Sequence, residues 1–183
     1  VVIMRKQWRA QPAQVLDEVE VMLGYPVFVK PANLGSSVGI SKARDRAQSA
    51  AALELAAEYD RKLIAEQAVP NAREIEVSVL GNDEPRVSVP GKIKPGHEFY
   101  DYAAKYLDDS SQLLIPAPLG AAMLAEVQEV ALSALRVTDC AGLARVDFLL
   151  DEATQTLYLN EINTMPGFTR ISMYPKLWAA SGL

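Results

Sequence analysis

Strand-like segments in this chain follow one another across turns too short for a parallel sheet. Glu74 to Leu80 and Arg86 to Lys94 read as strands joined at Gly81-Asn82-Asp83. Gly142 to Leu150 and Thr156 to Ile162 read as strands around a turn at Asp151 to Gln155. An antiparallel pair closes through such a turn, whereas a parallel pair needs a crossover of about a dozen residues or more. Helical segments fall between hairpins and do not alternate strictly with single strands. The expected class is therefore α+β, not a doubly wound parallel sheet.

The remaining segments fit that class. Residues 1–8 read as a short strand. Pro12 opens a helix to about Leu23, with Val15, Leu16, Val19 and Met22 at helical spacing and Gly24 as its stop. Tyr25 to Lys30, Gly39 to Lys42 and Lys62 to Gln67 read as strands, and Asp45 to Tyr59 as an Ala- and Leu-rich helix. Further helices are expected from about Leu119 to Val137 and up to Gly182. Residues 95–111 are polar and aperiodic, the mark of a long loop that serves as a lid or is disordered. The chain opens on Val1 and closes on Leu183, and both ends read as cut from something longer.

Composition narrows the function classes. With 23 acids against 18 Lys and Arg, the net charge of −5 argues against non-specific nucleic-acid binding. A small phosphate ligand stays open, because local lysines decide that. One cysteine, Cys140, rules out an internal disulfide and a cysteine-based zinc cluster, and its apolar surroundings predict a buried, inert thiol. One histidine, His97, removes most imidazole metal sites and is expected to face solvent. No apolar run reaches membrane-spanning length and no signal peptide is visible, so no membrane partner and a cytoplasmic location are expected.

The richest chemistry lies in the last hairpin. Side chains alternate along a strand, so Arg145 and Asp147 share one face, as do Glu161 and Asn163. If odd positions oppose odd positions, all four converge. Two carboxylates and an amide oxygen suit magnesium, which completes its shell with waters and phosphates. Arg145 beside them can balance developing negative charge. A solvated face of surface ion pairs fits the alternation equally well. Asn163-Thr164-Met165-Pro166-Gly167, following the acids, favours a site, since glycine lets a backbone N–H approach a ligand.

Lys30-Pro31-Ala32-Asn33-Leu34-Gly35-Ser36-Ser37-Val38-Gly39 sets a lysine before a loop of small residues. Exposed N–H groups near an ammonium can cradle phosphate, although an ordinary turn has the same composition. No Gly-Lys-Ser/Thr enters a helix, so this is not a Walker loop. Lys105-Tyr106 closes the long polar segment. Glu66 and Glu74 flank a strand exit, where solvated acids and nucleoside-binding acids look alike. No Ser–His or Cys–His nucleophile signature is present.

Four blocks together resemble the ATP-grasp part of the D-alanine–D-alanine ligase family. They are Val29 to Ile40, Phe99-Tyr100-Asp101-Tyr102-Ala103-Ala104-Lys105-Tyr106, Gly142 to Phe148, and Leu159 to Thr169. Their order and spacing match from about Gly24 to the end. The resemblance implies two α+β lobes, residues 1–68 and 69–183, holding a nucleotide between them. It also implies that the family's N-terminal substrate domain is missing. That domain supplies an acid near the first D-alanine; a lysine that the family contributes upstream to the nucleotide phosphates is absent too, and Lys6 does not replace it.

The resemblance further implies residue roles. Lys30 and Lys105 hold the ATP phosphates, and Gly35, Ser36 and Ser37 close over them. Glu66, Gln67 and Val69 receive the adenine, and Glu74 binds the ribose. Asp147, Glu161 and Asn163 hold two Mg2+ or Mn2+ ions. Arg145 and the Gly167 backbone stabilise the reacting carboxyl. Ser172 and the Met173 backbone bind the second D-alanine. Ser36 and Tyr106 join the hydrogen bonds around the substrate, with Tyr106 marking the dipeptide-forming type. The implied partners are ATP and D-alanine, with a homodimer for the intact protein and an inactive fragment. D-alanine–D-lactate and D-alanine–D-serine ligases, other ATP-grasp ligases, and a non-catalytic nucleotide-binding module remain as alternatives.

Overall fold

The computed structural model describes residues 1–94 and 112–183. The chain divides into two compact units, the first being Val1–Ala68 and the second starting at Val69. The lid expected over 95–111, with His97, Lys105 and Tyr106, lies outside the described residues.

The first unit carries β1 (Val2–Met4), α1 (Arg5–Ala10), α2 (Pro12–Leu23), β2 (Val27–Pro31), β3 (Ser41–Ala43), α3 (Arg46–Tyr59) and β4 (Lys62–Gln67). Its strands form an antiparallel sheet in the order β1-β4-β2-β3. Along β2, Val27 and Val29 are fully buried while Phe28 and Lys30 lie on the other face. The buried set joins Val15, Leu16 and Val19 of α2 and Leu53, Ala56 and Ala57 of α3 in one core. Asp45 caps α3, its side chain accepting from the Gln48 amide at 2.8 Å. Gly24 ends α2 at φ 65°, a conformation that glycine adopts without a Cβ penalty.

Two expectations fail in this unit. Residues 1–8 are not one strand: β1 stops at Met4 and α1 begins at Arg5. Trp8 anchors that helix, buried and donating its Nε1–H to Glu54 at 2.8 Å. Met22 is exposed, and Leu23 packs on the core instead. Leu23 continues the stripe of Leu16 and Val19, while Met22 falls on its flank.

The second unit carries β5 (Ala72–Gly81), β6 (Arg86–Val87), β7 (Gly91–Lys94), β8 (Gln112–Leu114), α4 (Ala121–Val137), β9 (Gly142–Asp151), β10 (Thr156–Asn163) and α5 (Met173–Ala180). Its sheet runs β10-β9-β5-β7-β8, antiparallel throughout, with β6 also paired to β5. Arg86 to Lys94 is thus two strands. Pro90, which has no N–H for a ladder, stands in the break.

Alternation on β9 divides the sheet into an oily and a charged face. Ala144, Val146, Phe148 and Leu150 are buried with Ile75, Val77 and Val79 of β5 against Val127, Ala131 and Leu135 of α4. Burying Phe148 alone is worth about 2–3 kcal/mol. Cys140 is only half-buried at the edge of this core, not enclosed. The Thr138 hydroxyl, 3.1 Å from its Sγ, keeps that edge polar. On the opposite face, a Cβ on Gly91 would collide with Met173 and Leu177 of α5. Ser78 donates to the Tyr174 carbonyl at 3.1 Å, which ties α5 to β5.

Candidate functional site

The charged face of the second sheet depends on one irregularity. From the turn, β10 and β9 pair as Thr156↔Asp151 through Leu159↔Phe148. In that register Leu159 lies on the core face with Phe148, and Glu161 would follow it there. The register shifts by one residue between Leu159 and Glu161, a β-bulge at Asn160. Beyond it Glu161 opposes Asp147, Ile162 opposes Val146 and Asn163 opposes Arg145. Odd now faces odd, and the four polar side chains lie on one face.

The side chains there meet. Arg145 grips Asp147 with two parallel bonds, Nε to Oδ1 at 2.7 Å and Nη2 to Oδ2 at 2.6 Å. Asn163 donates to Asp147 Oδ2 at 2.9 Å and to Glu161 Oε1 at 3.3 Å. A further acid comes from the neighbouring strand: Glu76 on β5 stands directly opposite Asp147 and lies 3.0 Å from the Arg145 Nε. Glu76 is buried. Desolvation pulls the Arg145 pKa down, but Asp147, Glu76 and Glu161 together hold it above its ordinary value.

Sequence reasoning missed Glu76, and its signal was present. Glu74, Glu76 and Ser78 alternate with Ile75, Val77 and Val79, which puts all three on one face of β5. What the alternation does not reveal is that β5 pairs with β9, bringing that face beside Arg145 and Asp147. Glu74 lies farther along the same face, opposite Leu149 and Ile93.

The donor set suits a hard divalent cation. Three carboxylates surround one guanidinium, so the face is net negative. A half-turn of the Asn163 amide replaces its donor with an acceptor at the same place. Among the described residues no three His, Cys, Asp or Glu side chains already converge as a metal cage. In the arrangement present, an ion at Asp147 takes an oxygen that Arg145 holds.

A second cluster follows β10. Gly167 approaches Ser172 so closely that a Cβ would lie 2.7 Å from its Oγ. That hydroxyl accepts from the Thr169 amide at 2.9 Å. Ser172 is the residue preceding α5, and Met173, the first of the helix, is buried. Gly167 and Ser172 thus meet around one turn, and Met173 is the next residue in the chain.

The first unit holds the lysine and the small-residue loop. Lys30 Nζ lies 2.7 Å from Glu66 Oε2, a diagonal pair across β2 and β4. In the loop, Ser36 and Ser37 have φ of 56° and 60°, and the Val38 amide donates to the Gly35 carbonyl at 3.3 Å. This is a turn with both central residues left-handed, a pattern dominated elsewhere by Gly, Asn and Asp. Each serine bears about 1–2 kcal/mol of strain in that conformation. Two clamps hold the loop's ends. Asn33 donates from its amide and its side chain to Asp60 at 2.9 and 2.8 Å. Gly39, at φ 72°, sits where a Cβ would lie 2.7 Å from the Tyr59 ring and 2.9 Å from Pro31. Gly35 has open space, so its role is not steric. Gln67 is exposed and Val69 half-buried.

Comparison with known proteins adds a family. The model of the family described as D-ala D-ala ligase C-terminus matches residues 1–183. A D-alanine–D-alanine ligase of Heliobacterium modesticaldum is 62% identical over 182 residues, 100% of this chain and 50% of that protein. One from Clostridium acetobutylicum is 53% identical over 182 residues, covering 100% and 53%. Among solved structures, a D-Ala:D-Ser ligase of Enterococcus faecalis superposes with a TM-score of 0.86 at 36% identity, covering 100% of this chain and 52% of that one. The D-alanine–D-alanine ligase of Coxiella burnetii gives 0.79 at 32% identity, covering 100% and 47%. The chain spans about half the length of the curated relatives it matches.

Proposed function

The chain belongs to the D-Ala–D-Ala ligase C-terminal family and has the ATP-grasp fold of its solved relatives, and from that premise we propose that the full-length protein joins two D-alanines at the cost of ATP. The observation that carries this reading is the convergence of Arg145, Asp147, Glu161 and Asn163 on one sheet face through the bulge at Asn160. The dipeptide serves as a precursor of the cell-wall peptidoglycan. The protein acts in the cytoplasm as a homodimer. Among the described residues no helix is long and apolar enough to cross a membrane.

The chemistry follows from the leaving group. A carboxylate is a poor acyl donor because oxide cannot leave. An oxygen of the first D-alanine attacks the ATP γ-phosphorus, ADP departs, and an acyl phosphate forms. The amine of the second D-alanine attacks the acyl carbon, its C–O bond to phosphate breaks, and the amine loses a proton. As in other phosphoryl transfers, the protein positions groups and neutralises charge.

Residues of this chain divide that work. Lys30 and the Gly35–Ser37 turn bind phosphate, with Lys105 assigned the γ side by the family pattern. Glu66, Gln67 and Val69 receive the adenine and Glu74 the ribose. Asp147, Glu161 and Asn163 hold Mg2+ or Mn2+, two ions in the family pattern, which screen the phosphate charge. Arg145 and the Gly167 amide balance charge growing on the carboxyl. Ser172 and the Met173 amide orient the second D-alanine, and Ser36 and Tyr106 join the hydrogen bonds around the substrate. The two left-handed serines support the phosphate role, because strain of that kind gathers at ligand clamps.

The likeness to a D-Ala:D-Ser ligase keeps a second acceptor in view. Product analysis decides. The full-length protein, given Mg-ATP and D-alanine with or without D-serine or D-lactate, is expected to yield D-alanyl-D-alanine and equimolar phosphate. A mixed product in preference to the dipeptide moves the assignment to the other ligases. Nucleotide binding without product from any mixture overturns the ligase reading.

A further inference from the structure

Glu76 and Asp147 are two acids set directly opposite each other across the β5–β9 ladder, on a largely buried face. Like charges so placed repel, and burial strengthens the repulsion. Arg145 resolves it by lying between them. Its Nε is shared, 2.7 Å from Asp147 Oδ1 and 3.0 Å from Glu76 Oε2, while Nη2 takes the second oxygen of Asp147. The side chains of Arg145, Asp147 and Glu76 are 20%, 13% and 10% exposed, so none can readily exchange its partner for bulk water.

This creates a conflict for the proposed metal role of Asp147. A cation there must take an oxygen from Arg145, and a buried guanidinium that loses its two-pronged partner is costly unless another anion receives it. We infer that Glu76 is a positioning residue that receives Arg145 when Asp147 turns to the metal. Glu76 already lies at ion-pair distance, so the guanidinium need only pivot toward β5. The same handover keeps Arg145 on the reacting face, pointed where carboxyl charge develops. Glu76 thus sets both the ease of metal entry and the place of the arginine without touching substrate. The inference rests on the assignment of a divalent cation to Asp147.

The test uses the full-length protein with Mn2+ and a non-hydrolysable ATP analogue. Bound Mn2+ is measured from the electron paramagnetic resonance of the free ion, and folding from thermal melting. Glu76→Gln should weaken Mn2+ binding about tenfold to a hundredfold, as loss of a residue supporting a metal ligand does. Loss of charge alone would weaken binding equally with or without Arg145. The handover instead predicts that Glu76→Gln has little effect in an Arg145→Ala background. Glu76→Asp, which keeps the charge but shortens the reach, should fall between parent and Glu76→Gln, and it serves alone if Glu76→Gln does not fold. Equal weakening in both backgrounds, or unchanged binding in Glu76→Gln, overturns the inference while leaving the metal assignment standing. Asp147→Asn separates the two: if it binds Mn2+ as the parent does, the metal assignment fails and the inference falls with it.

Discussion

The loop of the first unit and the charged face of the second are organised by opposite means. The Gly35–Gly39 loop is defined by backbone conformation: two left-handed serines, a left-handed glycine, and a tether from Asn33 to Asp60. The sheet face is defined by charged side chains and the hydrogen bonds between them, on strands brought into register by the bulge at Asn160 and locked through Arg145. One should therefore fail when the backbone is altered, the other when hydrogen-bonding geometry is altered at constant charge.

The sharpest probe of that contrast is Arg145→Lys in the full-length protein. Charge is kept but the two-pronged grip is lost. Turnover should fall about a hundredfold to a thousandfold, with melting little changed. A near-normal kcat would mean that charge alone organises the face.

Gly39→Ala probes the loop. A Cβ there meets Tyr59 and Pro31 in a left-handed conformation, so stability should drop by about 1–3 kcal/mol, read by denaturant unfolding. Gly35→Ala, where nothing lies within 4 Å, should differ little from the parent and serves as the control. Equal effects at both positions would refute a conformational account of the loop.

Ser36→Gly and Ser37→Gly should each shift stability by no more than about 1 kcal/mol, since relief of strain is offset by the freer unfolded chain. ATP affinity should fall if the strain presets the turn for phosphate. Tighter nucleotide binding in these variants would sink that idea.

The smallest effect is a pH dependence at the loop's tether. Desolvation pushes the Asp60 carboxyl up, but hydrogen bonds from Lys62 and Asn33 outweigh it and hold its pKa below the ordinary value. A depressed folded pKa adds stability above the unfolded value, and that stability is lost as pH falls through the folded one. Asp60→Asn should therefore melt below the parent at neutral pH, and the gap should close in acid. A gap that persists at low pH would show that the tether does not depend on the carboxylate's charge.

Legibility in the sequence followed how local each cause was. The capped helix Arg46–Tyr59 and the alternation of Gly142–Asp151 depend on neighbours in the chain, and both can be read directly. The helix Arg5–Ala10 is hidden because Met4 offers no capping side chain and its anchors are distant in the chain: the Trp8–Glu54 bond spans 46 residues and the bond from Arg5 to the Ala57 carbonyl spans 52. The face shared by Arg145, Asp147, Glu161 and Asn163 follows from alternation only on condition of an odd-to-odd register. The bulge that satisfies this condition is set by pairing, which no single strand encodes. Glu76 was hidden for the same reason: its alternation is plain, but its neighbour strand is not.

The bulge also governs which changes of length this hairpin can inherit. Asn160 separates two stretches of ladder of opposite phase, one from Thr156 to Leu159 and one from Glu161 to Asn163. A lineage that lost Asn160 would restore plain alternation across Leu159 and Glu161, and Glu161 would still oppose Asp147. A lineage that gained one residue beside it, with a single residue still unpaired, would turn Glu161 and Asn163 toward the oily face. The register at Asp147 thus tolerates loss of residue 160 and does not tolerate a gain beside it.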